Sequence, residues 1–290
     1  PSDLVTRFRT LLDIGRNGFR PRICSVVGRP LYFPLLEMKC QHRKIMHSLK
    51  GSTALVTGAS AGIGLATARL LSEAGVRVIG GARRPEILRA EMDDLPGPTL
   101  ALQVDVADTE SVAGLMAQLP SDWQSIDILI NNAGSDVGGR RDFHEGDVAE
   151  WVNTIQINVS GLMQVTAAVL PGMLERQSGH IVNLGSVAGL SGIPGCGAYV
   201  ASKHAVHGLS DSLRQEYAGR GIRVSEILPG MVKTDFAKTR FSDAEKGDAF
   251  YENYGLCLEA EDIARSVLFA LEQPPHAVVS QIVIVPDNPG

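Results

Sequence analysis

Short apolar runs rich in β-branched residues recur from Ser52 onward, and the stretches between them space their apolar positions three and four apart. Thr53–Thr57 (TALVT), Val76–Gly80, Leu100–Val104, Asp127–Ile130 (DILI), His180–Leu184, Ile222–Ile227 and Gln281–Val285 read as strands. Leu65–Ala74, Pro85–Met92, Ser111–Gln118, Val148–Leu170, Tyr199–Tyr217 and Ala260–Leu271 read as helices. The strands are apolar nearly throughout, with little alternation, as expected of strands buried on both faces. Strands alternating with long helices predict an α/β fold with a doubly wound parallel sheet of about seven strands and helices on both faces.

Residues 1–45 fit none of this pattern. They are punctuated by Gly and Pro and lack sustained periodicity, so the expected organisation is a basic extension over 1–45 and a single domain over 46–290. The first 50 residues carry ten Lys/Arg against three acids; the whole chain has a formal charge of −5, so the remainder stands at −12. A processed targeting segment, translated upstream sequence ending at a natural start at Met46, and a functional arm are the competing readings, with the start at Met46 preferred. The acidic body gives no case for nucleic acid or an anionic membrane as partner, and no uninterrupted apolar run approaches the roughly 20 residues of a membrane span. Four cysteines (Cys24, Cys40, Cys196, Cys257) form no CxxC pair, which reads as isolated reduced thiols rather than disulfides or a metal site. A cytoplasmic location is the resulting expectation.

The first strand runs into Thr57-Gly58-Ala59-Ser60-Ala61-Gly62-Ile63-Gly64 and then a helix. Glycines at 58, 62 and 64 let a backbone approach a pyrophosphate, and the helix start offers free N–H groups and the positive end of its dipole. The second strand ends in Gly80-Gly81-Ala82-Arg83-Arg84, with no acid for a ribose 2′-hydroxyl. Arg83 and Arg84 suit a 2′-phosphate instead, so NADP(H) is expected over NAD(H). Tyr199 and Lys203 share one helical face at i, i+4. A tyrosine acting as a base near neutrality needs its pKa lowered by about 3 units, which an ammonium and a positive nicotinamide could supply. Ser186, just beyond the strand His180–Leu184, could hydrogen-bond a substrate oxygen.

Together these residues resemble the short-chain dehydrogenase/reductase family over about residues 50–286. Asn131-Asn132-Ala133-Gly134 is similar to the family's NNAG, and Asp105-Val106 to its adenine-flanking pair. Pro229-Gly230-Met231-Val232 and Thr234 resemble the stretch that packs on the nicotinamide. The resemblance implies a single-domain Rossmann-type fold and a tetrad. Tyr199 would exchange a proton with an alcohol or carbonyl substrate and Ser186 would orient it. Lys203 would lower the tyrosine pKa and bind the ribose, and Asn158 would hold a water in a proton relay. The implied cofactor-binding set is Gly58, Ser60, Gly62, Ile63, Gly64, Arg83, Arg84, Asp105, Val106, Asn132, Tyr199, Lys203, Pro229, Gly230, Val232 and Thr234, with no metal.

Within the family, Gly81–Arg84, Leu119–Trp123, Ala168–Met173, Asp235-Phe236 and Arg240-Phe241 are similar to NADP-dependent 3-hydroxy acid dehydrogenases of the serine/allo-threonine type. A small acidic substrate would want a cation near the nicotinamide. Arg140, Arg141, Lys233 and Arg240 are candidates, though a solvated surface charge is the default reading of each. The loop from Asp136 to Asp147 is longer and more polar than that group's, which leaves the substrate open. A β-ketoacyl or general ketone reductase is the alternative enzyme, favoured by a wide, cation-free pocket; a non-catalytic NADP(H) sensor is the alternative from another class. Cys196 is expected to serve packing. The resemblance also implies a homotetramer, and Leu162, Val165, Ala168 and Val169 fit either a helical interface or the core.

Overall fold

The computed structural model describes residues 47–241 and 243–287, so the extension over 1–45 and Met46 lie outside the described residues. Seven parallel strands form one sheet: β1 Thr53–Thr57, β2 Arg77–Ala82, β3 Thr99–Gln103, β4 Ile128–Asn131, β5 Gly179–Leu184, β6 Ile222–Pro229 and β7 Gln281–Ile284. Their order is β3-β2-β1-β4-β5-β6-β7. The chain leaves β1 for β2 on one side and later returns to lay β4 on the other, so the sheet's switch point falls between β1 and β4, where open α/β sheets bind ligands at their carboxyl ends.

Successive residues of the inner strands feed opposite cores. Ala54, Val56, Ile128 and Ile130 pack against helices α1 (Gly62–Glu73), α2 (Pro85–Asp93) and α9 (Ala260–Leu271) through Leu71, Leu88 and Val267. Leu55, Ile79, Leu129 and Ile181 face α3 (Thr109–Ala113) and α5 (Leu162–Glu175) through Val112, Val165, Val169 and Met173. Complete burial of such side chains is worth about 1.5–3 kcal/mol each, which explains why the strands read as unbroken apolar runs. A polar crossbar interrupts the second core. Asn131 on β4 donates to Thr166 Oγ1 on α5 (3.0 Å) and to Asn183 Oδ1 on β5 (2.9 Å). Asn183 in turn donates to Ser210 Oγ (2.9 Å) on helix α6, Gly197–Glu216.

Three expectations change. The helix expected over 111–118 is α3 at Thr109–Ala113 and a separate 3-10 turn at Met116–Gln118, divided where Gly114 ends α3. The helix expected over 148–170 is α4 (Val148–Ile155), a π turn (Gln156–Gly161) and α5, extending to Glu175. This 28-residue run is long and apolar enough to cross a bilayer by length and composition alone; here Val165, Val169 and Met173 on it pack into the second core. Leu162, Val165 and Val169 are therefore buried within the subunit, and the exposed large apolar residues of this run are Val148, Val152 and Met163. The third change is two helices without a sequence counterpart, α7 (Phe236–Phe241) and α8 (Ala244–Tyr254), which lie between β6 and α9.

Candidate active site

A cavity of about 630 Å³ opens at the carboxyl ends of the strands and is lined from β2, β5, β6, the loops that follow β1 and β4, α6 and the α7–α8 pair. Its floor is the glycine turn. Gly58 and Gly62 adopt φ of +67° and +52°, a region that side chains other than glycine rarely enter. A Cβ on Gly64 would overlap the Gly58 carbonyl oxygen. Asn132 clamps the turn across the switch point, its Nδ2 donating to Thr57 O (2.9 Å) and Gly58 O (3.2 Å). The Thr57 hydroxyl receives the backbone N–H groups of Asn132 and Ala133, both at 3.0 Å. Helix α1 then starts without a side-chain cap and with no acid in its first turn. Its leading N–H groups and dipole end thus face the cavity without a competing carboxylate, a built seat for a phosphate.

Ser60, Ile63, Asp105, Val106, Pro229, Gly230, Val232 and Thr234 line this cavity, as does Arg83. Arg84 is not among the lining residues; it is the N-cap of α2. Gly64 also stands back from the wall and acts through the close approach to Gly58. The absence of an acid at the end of β2, the exposed Arg83 beside the cavity and the uncapped α1 fit a dinucleotide that carries a 2′-phosphate.

Ser186, Tyr199 and Lys203 converge on the opposite wall. Ser186 begins a short 3-10 turn, Val187–Gly189, where its Oγ accepts the Ala188 N–H at 3.1 Å. Burial pushes the Tyr199 phenol up to about 12; the Ser186 hydroxyl bonded to it and the Arg240 guanidinium pull the other way, and the carboxylate of Asp136 adds to the rise. Lys203 does not figure among the groups that lower it. The ammonium lies 5.7 Å from the tyrosine ring centroid and donates to Leu184 O at 2.7 Å. Burial draws Lys203 itself down to about 8, against the carboxylates of Glu226 and Asp136. Glu226, fully buried on β6, is raised by its burial and held by His207 Nδ1 at 2.8 Å.

Asn158 is set back from the cavity, inside the π turn, and does not line it. Such turns are rare and often mark functional sites. This one aims the amide at the loop after β4: Oδ1 accepts from Ser135 N (2.7 Å), while Nδ2 donates to Ser135 O (2.8 Å) and to Ser202 Oγ (2.9 Å). The sequence reading missed Thr57, Ser135 and Ser202, whose hydroxyl or backbone groups hold these residues; no residue pattern singles them out. It also missed the aromatic wall of Phe236, Phe250, Tyr251 and Tyr254, which belongs to α7 and α8. Cys196 is buried, as packing requires, and also lines the cavity. Among the four candidate cations, Arg140 and Arg240 line the cavity, and Arg240 is buried rather than solvated. Arg141 lines a smaller neighbouring pocket and lies 3.6 Å from Glu150.

The sequence model of the short chain dehydrogenase family matches residues 52–245. The chain is 41% identical over 234 residues to the NADP-dependent 3-hydroxy acid dehydrogenase of Salmonella typhi, covering 80% of this chain and 94% of the relative. It is 39% identical over 240 residues to a probable NADP-dependent dehydrogenase of Haemophilus influenzae, covering 82% and 94%. Among solved structures, the closed form of a serine dehydrogenase complexed with NADP+ superposes with a TM-score of 0.77 at 37% identity, over 80% of this chain and 94% of that one. The serine dehydrogenase of Escherichia coli superposes with a TM-score of 0.70 at 34% identity, over 80% and 96%.

Proposed function

We infer the reaction from one premise: this chain belongs to the short chain dehydrogenase family. It is an NADP(H)-dependent oxidoreductase acting on CH–OH groups, and its relatives of that description share its full domain. The observation that carries the residue roles is the convergence of Ser186, Tyr199 and Lys203 on the wall facing the glycine turn.

When bound, NADP(H) supplies the hydride donor or acceptor. The backbone at Gly58–Ile63 and the start of α1 would hold its pyrophosphate, Arg83 its 2′-phosphate, and Asp105 and Val106 would flank the adenine. Tyr199 moves the proton to or from the substrate oxygen, and the Ser186 hydroxyl fixes that oxygen in place. A phenol near 12 stays protonated at neutral pH, which suits proton donation to a carbonyl. The reverse direction requires more positive charge beside it. Lys203 and Arg240 already stand 5.7 Å and 5.8 Å from the ring of a phenol near 12, so the added charge would come from the oxidised nicotinamide when bound. Asn158, bonded to Ser135 and Ser202, positions the loop behind the lysine.

The substrate we propose is a small 3-hydroxy acid or its 3-oxo counterpart. Arg140 and Arg240 in the cavity wall, besides the Arg83 given to the cofactor, support an anion over an uncharged ketone or a thioester. We also propose a homotetramer in the cytoplasm, with exposed Val148, Val152 and Met163 as part of the contact between subunits.

Initial rates with NADP+ and with NAD+ test this reading. The substrates are L-serine, L-allo-threonine, 3-hydroxypropionate, 3-hydroxyisobutyrate and a simple secondary alcohol, with Tyr199→Phe as control. Turnover of a hydroxy acid with NADP+ that disappears in the variant is expected. Turnover of the secondary alcohol alone would sink the substrate class, and undiminished turnover in Tyr199→Phe would sink the proton-transfer role.

A further inference from the structure

Arg240 occupies an unusual place for a cation. It sits on α7, is 8% exposed, and lines the cavity with its guanidinium carbon 5.8 Å from the Tyr199 ring. The rings of Phe236 and Phe250, 5.4 Å and 5.6 Å away, flank it as well. Its charge partner is Asp136, equally buried, whose Oδ2 lies 2.7 Å from one terminal nitrogen. Arg240 lines the cavity and Asp136 does not, so a ligand meets the arginine's side of the pair.

A buried ion pair is a poor source of stability, because desolvating both charges offsets their attraction. The pair also leaves donors unspent. Arg240 Nε is buried with no hydrogen-bond partner among the described residues, and the contact to Asp136 engages one terminal nitrogen. A planar guanidinium held by a carboxylate behind and by aromatic rings around it is preorganised to present its remaining terminal N–H groups to a second carboxylate. The ring contact to Tyr199 sets that seat close enough to the proton-transfer hydroxyl for a short carbon chain to reach both.

We propose that Arg240 is the seat of the substrate's carboxylate and that Asp136 is its positioning residue, so the enzyme selects 3-hydroxy acids over uncharged alcohols of the same shape. The assignment rests on the oxidoreductase reading above and deepens it. Arg140, exposed at the cavity wall with its guanidinium 5.9 Å from the Phe250 ring, adds attraction but lacks a fixed partner to orient it.

Steady-state kinetics with NADP+ on 3-hydroxyisobutyrate and on its methyl ester test the proposal, using wild type, Arg240→Lys, and the double substitution Asp136→Asn with Arg240→Gln. The double substitution removes both buried charges together, which avoids the misfolding that one orphaned charge could cause. The expected result is a loss of kcat/KM for the acid about 30-fold or more greater than the loss for the ester, any change in kcat being shared by both substrates because Arg240 also stands against Tyr199. Arg240→Lys, which keeps the charge but not the fork, is expected to fall in between. Equal losses on acid and ester, or an unchanged KM for the acid, would overturn the assignment of Arg240. A wild type that prefers the ester would overturn it too while leaving the oxidoreductase intact. A wild type inactive on both, and on the wider panel with either cofactor, would instead overturn the proposed function itself.

Discussion

Replacing Lys203 with methionine should abolish turnover and, over a defined pH window, remove a cost of folding. Burial holds the ammonium near pKa 8, against an ordinary value of 10.5. Between these values the unfolded chain holds a proton that the folded chain has released, so wild-type stability rises with pH across that interval. The cost of the buried charge is present in full below about pH 8 and gone above about pH 10.5. The shift corresponds to about 3 kcal/mol. The substitution has its own cost, because Leu184 O loses the donor now 2.7 Å away, and an orphaned buried carbonyl costs about 1–3 kcal/mol. Near neutral pH the two nearly cancel, and Lys203→Met should be within about 2 kcal/mol of wild type, on the more stable side. The lost carbonyl partner does not depend on pH, whereas the charge does. Denaturant unfolding of the ligand-free proteins from about pH 7 to about pH 10.5 should therefore show wild type gaining about 3 kcal/mol on the variant. Tyr199, near 12, is common to both proteins and cancels from the difference. Stability curves that run parallel, or a variant that gains on wild type as pH rises, would refute this account of the lysine.

Three further substitutions probe the cofactor side. Arg83 lines the cavity and Arg84 does not, so Arg83→Ala should lower kcat/KM for NADP+ about 10- to 100-fold, the worth of a charge-assisted contact, and leave NAD+ nearly untouched. Arg84→Ala should change either by less than about threefold, and equal losses in the two variants would show that both arginines grip the phosphate. Gly64→Ala drives a Cβ into the Gly58 carbonyl; it should weaken NADP+ binding in calorimetry and lower the melting temperature together, and a variant with normal affinity would mean the turn can relax.

Much of this was legible in the chain. The inner strands could be read because they are buried on both faces and so carry an unbroken apolar signal, and the glycine turn because only glycine tolerates +67° at position 58 beside a close backbone neighbour. Helices α7 and α8 escaped because α8, AEKGDAFYENY, mixes charges and aromatics and its apolar spacing is indistinct. The π turn escaped because Gln156–Gly161 carries no residue that demands it. Leu162, Val165 and Val169 could have faced the core or another subunit, since an apolar stripe records that a face is covered and not by what. Arg240 was visible as a cation but not as a buried one: its partner lies about a hundred positions earlier, in a loop whose polarity gave no hint of burial.

The crossbar Thr166–Asn131–Asn183–Ser210 also bears on catalysis from outside the cavity. Asn183 lies three positions before Ser186 and Ser210 three helical turns beyond Tyr199, so their hydrogen bond ties β5 to α6 at a point remote from the reacting groups. Sliding β5 by one residue against its neighbours would swing Asn183 to the other face, strand the amides of Asn131 and Asn183 in an apolar layer, and carry Ser186 away from the phenol. The distance over which a proton must move is thus gauged by a row of amides and hydroxyls that no substrate ever touches.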